Sequence, residues 1–246
     1  MENFIVVATA GSLIIFVAFF IRSLTGFGSA LVSIPLLALL FDLKFVVPLE
    51  VLFEVGISFL LISTVYKDIS KITLVPLIAG TIVGTLLGTY ILYAFTSLFL
   101  KWLLGIAVIL FALNLLLERS SSTTTSRPIA SGWGLLAGAI GGIFGGLFGT
   151  SGPPFVMYLT HKLKQKDILR ASLIGLFAID DIWRVGVFAV TGLLTIEMFQ
   201  LALLLTPALV LGTVLGHKTH LKISETHFRQ AVAAILIVSG ILLLIR

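Results

Sequence analysis

Charged residues divide the chain into ten apolar stretches, and this pattern limits the fold more than any other feature. The stretches run at about 4–21, 29–41, 45–65, 72–93, 98–117, 132–149, 153–161, 168–190, 196–216 and 228–245. Most approach the roughly 20 apolar residues that carry a helix across a bilayer. Inside a bilayer only helices and closed barrels satisfy the backbone, and no strand-like alternation runs through these stretches. The expected fold is therefore an all-α integral membrane protein with the lipid bilayer as its surroundings. Composition agrees. Of 246 residues, 59% are hydrophobic and only 11% charged, whereas soluble domains carry about 25% charged residues. The net charge of +5 sits in short connecting stretches, so there is no solvated basic face, and no nucleic-acid partner is expected. Cysteine is absent, which excludes disulfide scaffolds, thiolate metal sites and cysteine nucleophiles. Met1-Glu2-Asn3 forms no basic leader region, so the first apolar run reads as an uncleaved membrane segment.

The loops are asymmetric in charge. Those after odd-numbered segments carry Arg22, Lys67, Lys71, Arg119, Arg127, Lys162, Lys164, Lys166, Arg170, Lys218, Lys222 and Arg229; those after even-numbered segments carry little beyond Lys44. The positive-inside rule places the odd loops in the cytoplasm and both termini on the opposite side of a cell inner (cytoplasmic) membrane. The one extended polar stretch, Glu118 to Pro128, is rich in Ser and Thr and reads as a flexible linker. It divides the chain into a first membrane repeat at 1–117, a cytoplasmic linker at 118–131 and a second repeat at 132–246.

The two halves resemble each other. Gly84-Thr-Leu-Leu-Gly88 recurs as Gly212-Thr-Val-Leu-Gly216, and Lys101 and Arg229 keep the same spacing. A Gly-rich break stands near the start of each half: Thr25-Gly-Phe-Gly-Ser29 running on to Pro35, and Phe148-Gly-Thr-Ser-Gly-Pro-Pro-Phe155. The offset between the breaks is about five residues smaller than that between the Gly-Thr motifs, as a short insertion would produce. Five segments per half is an odd number, so the second repeat would be inverted, with the halves related by an axis in the membrane plane. Inverted repeats mark secondary transporters. The competing explanation is that Gly-x-x-x-Gly spacing recurs wherever membrane helices pack closely.

Segments 2 and 7 are short and follow these breaks. Short, Gly/Pro-interrupted segments at matching positions point to a transport site, and each break is expected to open a broken or re-entrant helix. Glycines beside Ser29 allow a sharp turn. Ser151 has the chemistry of an N-cap, and Pro153 suits a first helical position. Free amides at such a helix start, backed by the positive end of the dipole, attract anions. The bland alternative is a tight connection at the membrane surface. Residues 132–152 hold nine glycines, with Gly134, Gly138, Gly142 and Gly146 on one helix face suited to backbone-to-backbone packing.

With these motifs in place, the sequence resembles the sulfite exporter TauE/SafE family of membrane transporters. The resemblance rests on the tandem halves, on Gly26-Phe-Gly-Ser29 with Ile34-Pro-Leu-Leu37, and on Gly146-Leu-Phe-Gly-Thr-Ser-Gly-Pro-Pro154. It extends over essentially the whole chain. It implies a transporter rather than an enzyme, exporting sulfite or a small organosulfonate such as a sulfoacetate-like anion. The coupling ion would be a proton or sodium, working by alternating access. Thr150, Ser151, Pro153 and Pro154 stand where glycine and aliphatic residues are commoner in the family, a departure that bears on substrate more than on fold. Export or import of another anion, such as a carboxylate, remains the alternative, and a homodimer stays open.

Ionisable groups inside apolar segments are costly and therefore informative. Arg22, beside the first break, and Arg184, in segment 8, are the candidate anion ligands, because a guanidinium fork donates two parallel hydrogen bonds to an oxyanion. Each has an alternative: a snorkelling interfacial cation for Arg22, and a structural pair with Asp180 or Asp181 for Arg184. The candidate substrate contacts are Arg22, Thr25, Gly26, Gly28, Ser29, Gly149, Thr150, Ser151, Gly152, Pro153 and Arg184. Glu54, Asp180 and Asp181 are the candidate coupling residues. Glu50 is expected at the interface and Glu54 deeper. His161, His217, His220 and His227 lie at segment ends, and no metal or cofactor is expected. Gly149-Thr-Ser-Gly152 also has the form of an intramembrane serine protease nucleophile at Ser151, but that chemistry needs a mid-segment histidine, and there is none in the sequence.

Overall fold

A computed structural model describes residues 2–25, 28–117, 131–219 and 225–245. Within them the chain is helical and contains no strand. In chain order the helices are α1 (Glu2–Thr25), α2 (Ser29–Leu37), α3 (Leu43–Val65), α4 (Lys71–Ala94), α5 (Ser97–Leu117), α6 (Ser131–Phe148), α7 (Gly152–Lys162), α8 (Lys166–Val190), α9 (Ile196–Thr219) and α10 (Glu225–Ile245). They match the ten apolar segments one for one. Leu43–Ser63, Lys71–Ala94, Ser97–Leu117 and Ile196–Lys218 are long and apolar enough to cross a membrane. The chain is an all-α integral membrane protein. The helices α2, with nine residues, and α7, with eleven, extend about 14 and 17 Å at 1.5 Å per residue. Neither reaches across a hydrocarbon core of about 30 Å.

The helices group into two compact units, and each draws on both halves of the sequence. One comprises Met1–Val46, Phe95–Thr123 and Ile196–Arg246; the other comprises Val47–Ala94 and Thr124–Thr195. The linker at 118–130 lies outside the described residues.

In the second unit α4 lies against α6 with almost no side chain between them. Carbonyl oxygens of Leu135, Ala139 and Ile143 sit where Cβ atoms on Gly80, Gly84 and Gly88 would be, and those of Leu77, Thr81 and Thr85 face Gly138, Gly142 and Gly146 in return. The glycine face predicted on segment 6 is thus the α4 contact. Thr81, Thr85 and Thr89 are buried along the same seam. Beside it, Leu74, Leu77, Phe155, Tyr158, Leu159 and Leu176 form an apolar core, with Phe155 seated over Gly141.

In the first unit α1 lies against α9 in the same manner. Gly212 and Gly216 face the carbonyls of Phe16 and Phe20, and the Ser23 hydroxyl donates to the Thr213 carbonyl at 2.9 Å. The two seams share a register. Gly84 and Gly88 precede Gly212 and Gly216 by 128 residues, while Phe16 and Phe20 precede their counterparts Ala139 and Ile143 by 123. Ser29 and Gly152, which open α2 and α7, are also 123 apart. The sequence repeat is therefore a repeat of packing, and in each seam a helix from one half meets a helix from the other.

Two pairs of connections are fastened by hydrogen bonds. Asp42, before α3, accepts from the Lys44 amide at 2.8 Å and from the Ser97 hydroxyl at the start of α5. The Ser70 amide, before α4, donates to the Ser172 hydroxyl near the start of α8 at 3.0 Å.

Candidate functional site

The first break follows α1. Gly28 immediately precedes α2 with φ of 95°, a conformation open to glycine and strained for residues with a Cβ. No side chain caps α2, so the amides of Ser29, Ala30 and Leu31 are its first-turn donors, none of them proline. Arg22 lies in the last turn of α1. It does not snorkel: it is 9% exposed, its Nη1 donates to the Ser29 hydroxyl at 3.2 Å, and its guanidinium lies 5.8 Å from the Phe19 ring centre. Ser29 is itself buried. The Thr25 side chain and all of Gly26 lie outside the described residues.

The second break follows α6, whose last turns are tightly seated on α4. Gly149 has φ of 67°, and Thr150 is half-buried. Ser151 precedes α7 as predicted but does not cap it. Its hydroxyl instead donates to Asp180 Oδ2 at 2.6 Å, a charge-assisted bond stronger than one to an amide. The helix starts at Gly152, so Pro153 occupies its second position, not its first, and Pro154 its third. Proline has no amide hydrogen. Of the first-turn amides expected to hold an anion, those of residues 152–154, only that of Gly152 remains.

Arg184 is the centre of the second break. It is 2% exposed, and Asp180 and Asp181 are each 1% exposed. Its Nη1 donates to the Gly149 carbonyl at 3.0 Å, its Nη2 pairs with Asp181 Oδ1, and its Nε lies 3.3 Å from Asp180 Oδ2. Both structural pairs considered from the sequence are therefore present. Asp180 and Asp181 are adjacent on α8, about 100° apart around the helix, so they engage different edges of the guanidinium. The other oxygen of Asp181 accepts from the Ser58 hydroxyl of α3 at 2.7 Å. Gly145 completes the floor: a Cβ there would lie 3.4 Å from Ser151 Cβ and 3.5 Å from both Arg184 Cδ and Asp180 Oδ2.

One expectation about α3 changes. Glu50 is not at a solvated interface; it is fully buried and acts electrostatically on Arg184. Glu54, expected deeper, is buried with 8% exposure. The Pro48 beside Glu50 sits inside α3, so the chain is already helical there, and Glu50 lies within it. Ser58 escaped notice although the signal was present, because Glu50, Glu54 and Ser58 recur every four residues and share one helix face. The His161 ring nitrogen Nδ1 lies 2.7 Å from the Met157 carbonyl, and His217 is exposed. His220 and the His227 side chain lie outside the described residues. The Ser151 hydroxyl is committed to a carboxylate rather than to a histidine.

The family model described as sulfite exporter TauE/SafE matches residues 12–243, from within α1 to the end of α10. No curated protein matches, and neither does any solved structure.

Proposed function

Since the chain belongs to the sulfite exporter TauE/SafE family, whose members are membrane transporters of small anions, we propose that it exports a small sulfur oxyanion or organosulfonate by alternating access, coupled to an ion gradient. The observation that carries this reading is a buried arginine fastened across each break: Arg22 to Ser29 at the start of α2, and Arg184 to Gly149 before α7. A guanidinium presents paired donors to two oxygens of one anion. Hydrogen bonds to charged groups contribute about 1.5–3 kcal/mol each, and a partly buried helix start up to ~2 kcal/mol. That range suits a cargo that must be released again.

The two breaks divide the work. The first, read by itself with Arg22, Gly28 and Ser29 and the sequence neighbours Thr25 and Gly26, offers an anion a cation and three amide donors. At the second, Gly149, Thr150, Ser151, Gly152 and Pro153 place fewer amides there, and Arg184 is flanked by acids, so anion contact and proton handling share one cluster. Glu54, Asp180 and Asp181 are the coupling residues in this reading. The positively charged connections, including the linker, face the cytoplasm of the inner membrane.

A thermal-shift screen of the purified protein against sulfite, sulfonates, carboxylates and phosphate tests the substrate class. A ligand held by the folded state raises its melting temperature with concentration. Stabilisation by sulfite or sulfonates above the other anions is the expected result. Stabilisation by carboxylates alone would move the assignment to a different anion.

A further inference from the structure

Asp180 Oδ2 accepts from the Ser151 hydroxyl at 2.6 Å and forms an ion pair with Arg184, whose Nε lies 3.3 Å away without making a hydrogen bond. These are a serine and an arginine at a helix break, the same pair of donors that an oxyanion would use there. A carboxylate oxygen of the protein thus stands where a substrate oxygen would. The other oxygen, Oδ1, is buried and has no hydrogen-bond partner. A buried carboxylate oxygen left bare is an incomplete arrangement for an anion, since buried acceptors are ordinarily satisfied, and it leaves room for a proton.

The charges at this point are lopsided. Arg184 is acted on by Asp180, Asp181 and Glu50, so three carboxyls face one guanidinium. Asp181 is also tied to Ser58 and to Arg184 Nη2, so it is the less free of the two aspartates. Among the described residues, α4, α6, α7 and the Tyr66–Asp68 turn, which pack against α8, and α3, which reaches it through Ser58, bring Asp180 no further buried cation. The α6 helix carries no ionisable side chain. On α4, Lys71, Tyr90 and Tyr93 are exposed. On α7, His161 and Lys162 are partly exposed at its far end, and the Tyr158 hydroxyl lies against Gly134, three turns of α6 away from Gly145. An anion entering without any change in protonation would put a fourth negative group on Arg184.

We infer that Asp180 is a tethered competitor for the anion at the second break, and that the anion binds there together with a proton taken up on Asp180. The proton goes to Oδ1, the neutral carboxyl loses its hold on the Ser151 hydroxyl and its ion pair with Arg184, and the hydroxyl and the unpartnered Nε turn to the anion. When the anion leaves, Asp180 gives up the proton and reclaims the Ser151 hydroxyl and its ion pair with Arg184. The inference rests on the anion-transport reading and adds its coupling. For a singly charged anion the carried pair is neutral, and flux is then set by anion and pH gradients rather than by voltage. Linkage makes the effect reciprocal: anion raises the affinity for the proton as much as the proton raises that for the anion.

The test uses the purified full-length protein and methanesulfonate, which keeps a single charge over the working range, so that any pH dependence belongs to the protein. Affinity is measured by calorimetry from pH 5 to 9 in buffers of different ionisation enthalpy. The wild type should take up about one proton per anion, with affinity falling about tenfold per pH unit on the alkaline limb, as one linked proton dictates. Asp180→Asn, which carries no charge to titrate, should bind with a nearly flat pH profile and more tightly than wild type at pH 9. Proton uptake in the wild type reads the linkage without any variant. A flat profile and no proton uptake in the wild type, or an Asp180→Asn protein that keeps the wild-type slope, overturns the inference while leaving transport intact. Absence of binding by methanesulfonate and sulfite at every pH overturns the transport reading and the linkage together.

Discussion

The glycine seams make a quantitative demand on stability. Replacing Gly216 by alanine would put a Cβ 2.6 Å from the Phe20 carbonyl oxygen and 2.8 Å from Ser23 Cβ, where ordinary contact begins at 3.4 Å. The main obstacle is backbone, so no rotamer change relieves it; α9 must move away from α1. Overpacking of this kind costs about 1–3 kcal/mol. In a chain of this length each kcal/mol corresponds to about 2–4 °C of melting temperature, so the loss should fall between about 2 and 12 °C. Gly88→Ala should lose a similar amount, because its Cβ would meet the Ile143 carbonyl and come within 3.0 Å of Ile143 Cα, in the equivalent register of the α4–α6 seam. Gly186→Ala is the control. Nothing lies within 4 Å of a Cβ there, and alanine is favoured over glycine in a helix by up to about 1 kcal/mol, so its melting point should hold or rise. Melting in detergent, followed by size exclusion after heating, reads all three. If Gly88→Ala and Gly216→Ala melt with the wild type, the close-packed seams are wrong. If only one of them is destabilised, the shared register is wrong.

Glu54→Gln should leave the protein folded but weaken the dependence of flux on a pH gradient; flux that ignores pH and follows sodium would remove the proton assignment. Arg184→Met should destabilise by about 3–5 kcal/mol, the cost of stranding the buried partners of a lost ion. Arg184→Met combined with Asp180→Asn should recover part of the loss in the same melting assay, and a double variant no better than the single one would contradict the pairing.

The helices were legible because membrane segments announce themselves by length and apolarity, and charges mark their ends. The packing register was legible in part, since Gly84, Gly88, Gly212 and Gly216 stood out as a repeat, while Phe16 and Phe20, whose carbonyls meet the second pair, carry no small-residue signal. The breaks were legible through Gly28 and Gly149, whose positive φ only glycine accepts readily. What the sequence concealed was partner choice. Ser151 has the chemistry of an N-cap, but a buried carboxylate one helix away is a stronger acceptor than an amide, so Asp180 takes its hydroxyl. Glu50 looked interfacial from its neighbour Pro48, because proline often marks a helix start; here it lies inside α3. Ser58 bonds to Asp181 across 123 positions, and no local pattern reports such a contact, although its i+4 spacing from Glu54 was visible.

Transport itself is best tested by efflux from liposomes that contain the purified protein and are loaded with labelled sulfite. Efflux is predicted to exceed that of empty liposomes, to saturate, to be slowed by unlabelled sulfonates, and to respond to an imposed pH gradient. Gly28→Val, which places a branched side chain where φ is 95°, should abolish it in protein that still elutes as a folded species. Efflux no faster than from empty liposomes, or efflux that carboxylates inhibit and sulfonates do not, would contradict the account.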